Sequence, residues 1–176
     1  MRVVLTTELP WPPEQVWDLV QTPALMRHVS WPLTVFTPLE PAAWPRRWEP
    51  GDHRVRMRAL LVLPIGEQTI GIRYPPQTDG SSNRRQLRDD GAGQLVRTWD
   101  HLITIESVDP VEPAAAGVHS IAAGQARTRY TDQVDVHAGL LTVPVWLWAH
   151  VLYRWRQHRW RRLTRRPPTP PAWDAP

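Results

Sequence analysis

An acid–base cluster is possible where two candidate strands in the middle of the chain carry polar side chains at even spacing. The side chains are Arg97, His101, Tyr130 and Asp132. Residues two or four apart on a strand point the same way, because successive side chains alternate between its faces. A carboxylate orients a neighbouring imidazole and raises its pKa, which suits proton transfer or the binding of a polar ligand group. A satisfied polar network inside an apolar sheet needs the same residues, so the sequence leaves all three roles open.

The strands that carry this cluster are predicted at residues 94–107 and 125–137. An antiparallel pair with equal arms around the intervening loop places His101 opposite Tyr130, which makes Asp132 a diagonal neighbour of His101. Diagonal neighbours lie about 7–8 Å apart at Cα, within reach of long side chains. The sequence therefore predicts a contact between His101 and Asp132.

Motifs of the common enzyme classes are absent. The sequence contains no HExxH, no GxSxG, no Gly-rich phosphate loop and no cysteine. The seven histidines are scattered, with no metal-ligand spacing. We therefore expect no metal, no cofactor and a binding protein rather than an enzyme. The enzymatic alternative is a cyclase- or hydratase-like reaction with His101 and Asp132 as the acid–base pair.

Length and composition indicate one soluble domain. The 176 residues suit a single core, assigned to 1–166, followed by a Pro-rich tail at 167–176 that we expect to be disordered. The first residues lack the apolar core of a signal peptide, and no run of about 20 apolar residues could span a bilayer. We expect a cytoplasmic protein.

Alternating and helical patterns predict one strand, two short helices, six strands and a long C-terminal helix. The strands are expected at 2–9, 33–40, 53–63, 67–74, 83–89, 94–107 and 125–137. The short helices are expected to start at Pro12–Pro13 and to occupy 24–29, and the long helix to run from Thr142 to about Thr164. A turn at 64–66 and loops at 41–52 and 108–124 complete the order. Since antiparallel strands that bury one face need a cover, we expect the long helix to lie on the sheet.

The long helix is expected to contact the sheet through one apolar stripe. Val145, Trp148, Leu152 and Trp155 share a face on the helical wheel. Arg156 and Arg159 continue that stripe, and burying two unpaired guanidiniums is costly, so the core contact should end near Trp155.

Charge is concentrated at the end of this helix. All 21 basic residues are arginine, and seven of them lie in 154–166, which leaves 14 against 17 acidic residues elsewhere. Nucleic-acid binding is therefore not expected. A second aromatic line is predicted on the solvent side of the helix, where the Trp44/Trp48 loop could cover it. Otherwise the line marks a contact with an anionic membrane surface or a homodimer contact. The residues predicted to form this contact are Trp146, Tyr153, Trp160, Arg161 and Arg165.

The segments "PPEQVWDLVQTPALM", "TRYTDQVDV" and "VWLWAHVLYRWRQHRWRRL", in this order, resemble the START-related SRPBCC superfamily over roughly residues 2–164. The resemblance implies an α+β helix-grip fold, an antiparallel sheet of about seven strands around a long C-terminal helix. It also implies a cavity between sheet and helix that takes an apolar small molecule or lipid. The predicted ligand-binding residues are Val55, Met57, Leu61, Ile70, Ile72, Tyr74, Arg97, Trp99, His101, Ile103, Tyr130, Asp132, Trp148, Leu152 and Trp155.

Overall fold

A computed structural model of the chain describes residues 1–76, 83–108 and 127–165. The described residues form seven strands and three helices. In chain order they are β1 (Arg2–Leu9), α1 (Pro13–Val20), α2 (Pro23–Ser30), β2 (Thr34–Glu40), β3 (Gly51–Ala59), β4 (Leu63–Arg73), β5 (Arg84–Gly93), β6 (Thr98–Val108), β7 (Arg127–His137) and α3 (Thr142–Leu163). A single 3-10 turn, Gly139–Leu141, leads into α3. Most of the predicted 108–124 loop and the predicted tail at 167–176 lie outside the described residues.

The strands form one antiparallel sheet in the order β1-β7-β6-β5-β4-β3-β2. Strands β2 to β7 follow one another as a meander, and β1 returns to pair with β7 along its whole length, from Arg2 opposite Asp135 to Leu9 opposite Thr128. Helices α1 and α2 pack on the same core as α3. The α+β helix-grip fold predicted from the sequence is confirmed.

The hairpin between β3 and β4 differs from its prediction. The turn lies at residues 60–62 instead of 64–66, because Leu60 and Leu61 adopt positive φ angles of 49° and 70°. Leu61 was predicted to face the core from a strand, but it lies in this turn and is 46% exposed. An unbroken apolar run hides such a turn, since leucine rarely adopts this conformation.

The β6–β7 pairing also differs from the predicted register. His101 lies opposite Val134, and Asp132 lies opposite Ile103, a shift of four residues from the equal-arm pairing. The two remain diagonal neighbours on the same face, because a shift by an even number of residues preserves the side on which each side chain points.

The orientation of α3 corrects the predicted stripe. The helix covers β1 and β7 with Ala149, Tyr153, Gln157 and Trp160, all of them buried. Two hydrogen bonds fix this face: Trp146 Nε1 donates to the Arg2 carbonyl at 2.9 Å, and Gln157 Nε2 donates to the Leu5 carbonyl at 2.8 Å. The expectation that the line of Trp146, Tyr153 and Trp160 faces solvent is therefore wrong; β1 and β7 cover it.

Core contact continues beyond the predicted end at Trp155. Arg156 is buried, and Trp160 is 1% exposed, with its ring 5.6 Å from that of Tyr130. Trp155 turns toward α2, where its Nε1 donates to the Trp31 carbonyl at 3.0 Å. Within the described ranges, no helix combines the length and the apolar character that crossing a bilayer requires.

Candidate functional site

A pocket of about 330 Å³ lies between the sheet and the N-terminal half of α3. Strands β2 to β6 supply one wall, α3 supplies the other, and α2 contributes Met26. Apolar and aromatic side chains provide most of the lining. The apolar contributors are Met26, Phe36, Met57, Ala59, Leu60, Leu63, Ile65, Ile70, Leu95, Val96, Trp99, Leu141, Pro144, Val145, Trp148, Leu152 and Tyr153. Three further lining residues are polar: Gln68, Asp89 and Arg156.

Exposed aliphatic side chains border this pocket. Four of the lining leucines are about half exposed, Leu60 52%, Leu63 59%, Leu95 49% and Leu141 48%. Beside them lie Val62, which is 81% exposed, and Leu140, which is fully exposed. Together these six residues form what we call the apolar rim. The residues around it, 57–66, 91–99 and 138–149, contain no acidic residue.

Asp89 brings a carboxyl group into the apolar lining. It lies on β5 directly opposite His101 of β6, and its Oδ1 accepts a hydrogen bond of 2.8 Å from the backbone N–H of Gly71. Burial raises the pKa of Asp89 to about 7, although that N–H and the positive charge of Arg156 oppose the shift. This side chain is therefore able to gain or lose a proton near neutral pH.

Arg156 brings a guanidinium into the same lining. It is 9% exposed, and its Cζ lies 4.8 Å above the ring of Tyr153. Burial lowers the pKa of Arg156, but the oxygens of Tyr153, Tyr130 and Asp132 outweigh this effect and hold the pKa above its usual value. The group is therefore charged, and the aromatic face and nearby carboxylates offset the cost of its burial. The expectation that this cost keeps Arg156 out of the core is wrong.

The predicted contact between His101 and Asp132 is present. The His101 Nε2 lies 2.8 Å from Asp132 Oδ1. The same oxygen accepts from the Tyr130 hydroxyl at 2.9 Å, and Oδ2 accepts from Gln157 Nε2 at 3.1 Å. We call these four residues the Asp132 network. It joins β6, β7 and α3.

Charges within the Asp132 network follow from these contacts. Burial lowers the pKa of His101 and keeps the ring neutral despite the carboxylate beside it. Burial would raise the pKa of Asp132, but the hydrogen bonds from His101 and Tyr130 and the positive charge of Arg156 hold this pKa below its ordinary value. The predicted rise in the pKa of His101 is therefore wrong, because desolvation exceeds the attraction of Asp132.

The Asp132 network lies behind the pocket wall. His101 is 4% exposed and Asp132 0%, and neither lines the pocket. The ring of His101 instead packs edge-on against Tyr153, with a centroid distance of 4.7 Å, so Tyr153 separates it from the pocket. An acid–base reaction through His101 and Asp132 requires access that this geometry does not provide.

The predicted ligand-binding residues divide into three groups. Five line the pocket: Met57, Ile70, Trp99, Trp148 and Leu152. Six lie in the core or the Asp132 network without lining it: Val55, Ile72, Ile103, His101, Tyr130 and Asp132. The remaining four are placed elsewhere: Leu61 in the β3–β4 turn, Arg97 exposed before β6, Tyr74 against Trp17, and Trp155 against α2.

The misplacement of Arg97 has a clear physical cause. Arg97 precedes the first residue of β6, Thr98, so strand alternation does not apply to it. The cation beside the cluster is Arg156, which comes four residues after Leu152 on the same helical face. Asp89 was also missed, although it shares the parity of Leu87, a core residue on the same strand. Because Asp89 follows the buried Leu87 by two residues on one strand, the sequence pattern could have placed it on the core-facing side.

Metal coordination has no candidate among the described residues, where no group of three or more His, Asp or Glu side chains is placed to hold an ion.

Comparisons with known proteins identify the fold of this chain but not its function. No family model matches the sequence, and no curated protein matches it. A solved protein of Chromobacterium violaceum superposes with a TM-score of 0.54 and 15% identity over 95% of this chain and 99% of its own. A conserved protein of Geobacillus kaustophilus gives 0.55 and 11% over 94% and 95%.

A Streptomyces protein, the Zhui aromatase/cyclase, is a third structural neighbour. It superposes with a TM-score of 0.51 and 12% identity over 94% of each chain. Because the identities are this low, the three neighbours show a shared fold and carry no residue roles to this chain.

Proposed function

We propose that this protein is an SRPBCC-type binding protein that holds an apolar small molecule or lipid between its sheet and α3. The observation that carries the proposal is the lining of the pocket, in which three polar residues are set among apolar and aromatic side chains. Small-molecule sites typically combine an apolar wall with a few polar groups, in volumes of about 300–1,000 Å³. The pocket of about 330 Å³ falls within that range.

The energetics favour an apolar occupant. Each Å² of apolar ligand surface removed from water contributes about 25 cal/mol, and the pocket offers such contact on the sides of both sheet and helix. The apolar rim extends the same surface to the entrance, so a ligand does not cross a charged barrier on its way in.

Binding is tested by native mass spectrometry of the purified protein, followed by displacement of a fluorescent fatty-acid or lipid probe. Ala59 lies in the lining and is 6% exposed, so the Ala59→Phe variant fills the pocket. It should lose probe binding, whereas Val4→Phe, on an exposed position of β1, should bind as the wild type does. If the wild type carries no ligand and no probe binds, the proposal is wrong.

We also propose that the apolar rim touches an anionic lipid surface while the ligand enters or leaves. What supports this is the exposure of its six residues, the absence of acidic residues around it and the arginines beside it, Arg58 and Arg97. Amphipathic surfaces of this kind suit the interface of an anionic bilayer. The contact predicted at Arg161 and Arg165 lies at the other end of α3 and stays a prediction, as does a homodimer.

Sedimentation with vesicles separates these two surfaces. A Val62→Asp variant should lose binding to vesicles that contain phosphatidylserine, while an Arg161→Gln/Arg165→Gln variant should keep it. If Val62→Asp still binds these vesicles and the double arginine variant does not, the membrane contact lies at the end of α3 instead. Equal binding to neutral vesicles would exclude the electrostatic part of the argument.

A further inference from the structure

We propose that the pocket recognises an apolar acid, whose carboxylate binds the Arg156 guanidinium in the same lining as the Asp89 carboxyl group. The inference rests on the proposed binding function and adds the chemical class of the ligand. It starts from the unused hydrogen-bonding capacity of a buried cation, which the apolar surroundings make costly.

The Arg156 guanidinium lacks the partners that a buried arginine normally has. Its Nε has no hydrogen-bond partner, and within the described residues the side chain forms no ion pair. An arginine offers five N–H donors in a planar fork that fits a carboxylate through two parallel bonds. Since Arg156 lines the pocket, a ligand in the pocket can reach these donors.

The buried carboxylate of Asp132 does not accept a hydrogen bond from Arg156. Asp132 lowers the electrostatic cost of the buried guanidinium, but its two oxygens already accept from His101, Tyr130 and Gln157. The Asp132 network therefore compensates the charge of Arg156 at a distance and leaves the N–H donors of the guanidinium without a carboxylate acceptor. Arg88, by contrast, binds a carboxylate directly and donates to both oxygens of Asp100 at 2.7 and 2.6 Å.

Asp89 determines when the site accepts an anion. Its carboxyl group faces His101 across the β5–β6 pair and Arg156 from α3, and the charges of Asp90 and Asp100 act on it as well. An ionised Asp89 competes with a ligand carboxylate for the positive charge of Arg156. A protonated Asp89 removes that competition and adds an O–H donor, so anion binding and protonation of Asp89 favour each other.

The ligand class follows from these two groups and the lining. The acid needs an aliphatic or aromatic body that fills a pocket of about 330 Å³ and a single anionic oxygen group at one end. A fatty acid and an aromatic acid share this chemistry. Decanoate and 2-naphthoate, each compared with the corresponding alcohol, distinguish the two bodies.

Isothermal titration calorimetry at pH 6.0 and pH 8.0 tests the proposal on the full chain. Charge-assisted hydrogen bonds to a buried arginine are worth about 1.5–3 kcal/mol, so the carboxylate should bind about 10- to 100-fold more tightly than its alcohol at pH 6.0. Arg156→Met should abolish this difference while the alcohol still binds, and Arg161→Met, on an exposed position of the same helix, should keep it. Asp89→Asn should bind the carboxylate equally well at both pH values.

The outcomes separate this inference from the function on which it rests. Equal affinity of the wild type for acid and alcohol, with no effect of Asp89→Asn on the pH dependence, overturns the recognition of a carboxylate but leaves apolar binding intact. Failure of all four compounds to bind overturns both. If Arg156→Met does not fold, the comparison of acid with alcohol in the wild type and in Asp89→Asn still decides the question.

Discussion

Replacing Asp132 by alanine tests whether the Asp132 network holds the fold together. The carboxylate is fully buried and accepts hydrogen bonds from three side chains that belong to β6, β7 and α3. Alanine removes the acceptor but leaves His101, Tyr130 and Gln157 in place. It also removes the negative charge that compensates Arg156.

The expected loss follows from these two effects. Each buried donor left without an acceptor costs about 1–3 kcal/mol, although some of the donors can reorient toward one another. Asp132 forms no ion pair with Arg156, but its negative charge lowers the cost of burying that guanidinium, so its removal adds an electrostatic loss. Because the contributions overlap, we expect the free energy of unfolding to fall by about 3–5 kcal/mol, a large part of the 5–15 kcal/mol typical of a domain.

Urea denaturation monitored by tryptophan fluorescence measures this loss. The control is Asp135→Ala on the same strand, whose carboxylate pairs with Arg2 at 2.9 Å on the exposed face. Exposed ion pairs contribute about 0–1 kcal/mol, so the control should remain close to the wild type. A loss below about 1 kcal/mol for Asp132→Ala, or equal losses for the two variants, would refute the structural role of the network.

Two further predictions concern stability. Asp89 has a folded-state pKa raised from 3.8 to about 7, so its contribution to stability is complete below pH 3.8 and is lost as the pH rises from there through about 7. Asp89→Asn should therefore stabilise the protein at pH 8 by about 1–2 kcal/mol, which is less than the full pKa shift implies because the group is half-buried. Thermal melts at pH 5 and pH 8 measure this effect. If the variant gains no more stability over the wild type at pH 8 than at pH 5, the prediction is wrong. Gly91→Ala should lower the free energy of unfolding by about 1–3 kcal/mol in urea denaturation, because its Cβ would overlap the backbone carbonyl of Thr69 on β4. The control is Ala92→Ser, an exposed neighbour. An equally small loss for both variants would show that the two strands move apart to admit the Cβ.

Strand identity and side-chain parity were accessible from the sequence. Strand β1 was predicted at 2–9 and is found at Arg2–Leu9, because alternation and β-branched residues depend only on local chemistry. The same parity placed His101 and Asp132 on one face, and the prediction survived a register error because the error was an even number of residues. Register itself depends on the length of the connecting loop and on contacts far away in sequence, which no local pattern records.

The orientation of α3 could not be obtained from its hydrophobic pattern. The helix is apolar on several sides: Val143, Leu147 and Val151, spaced by four, are each 54% exposed. An apolar stripe therefore does not show which side meets the sheet. The burial of Arg156 escaped prediction for a related reason, because a helical wheel contains no information about the Tyr153 ring and the carboxylates that surround the guanidinium in the fold.

Asp132 and Asp89 differ in a way that indicates a structural role for the first and a binding role for the second. Asp132 is ionised and fully satisfied by donors from three elements, so exchanging it can only weaken the protein. Asp89 has a pKa near neutrality and shares an apolar lining with the Arg156 guanidinium, which lacks a carboxylate partner. Asparagine or a small hydrophobic residue would be more stable at this position. Natural proteins accept such a loss of stability mainly where a group must bind or react. The pair of Asp89 and Arg156, rather than the predicted pair of His101 and Asp132, is therefore where a ligand should be recognised.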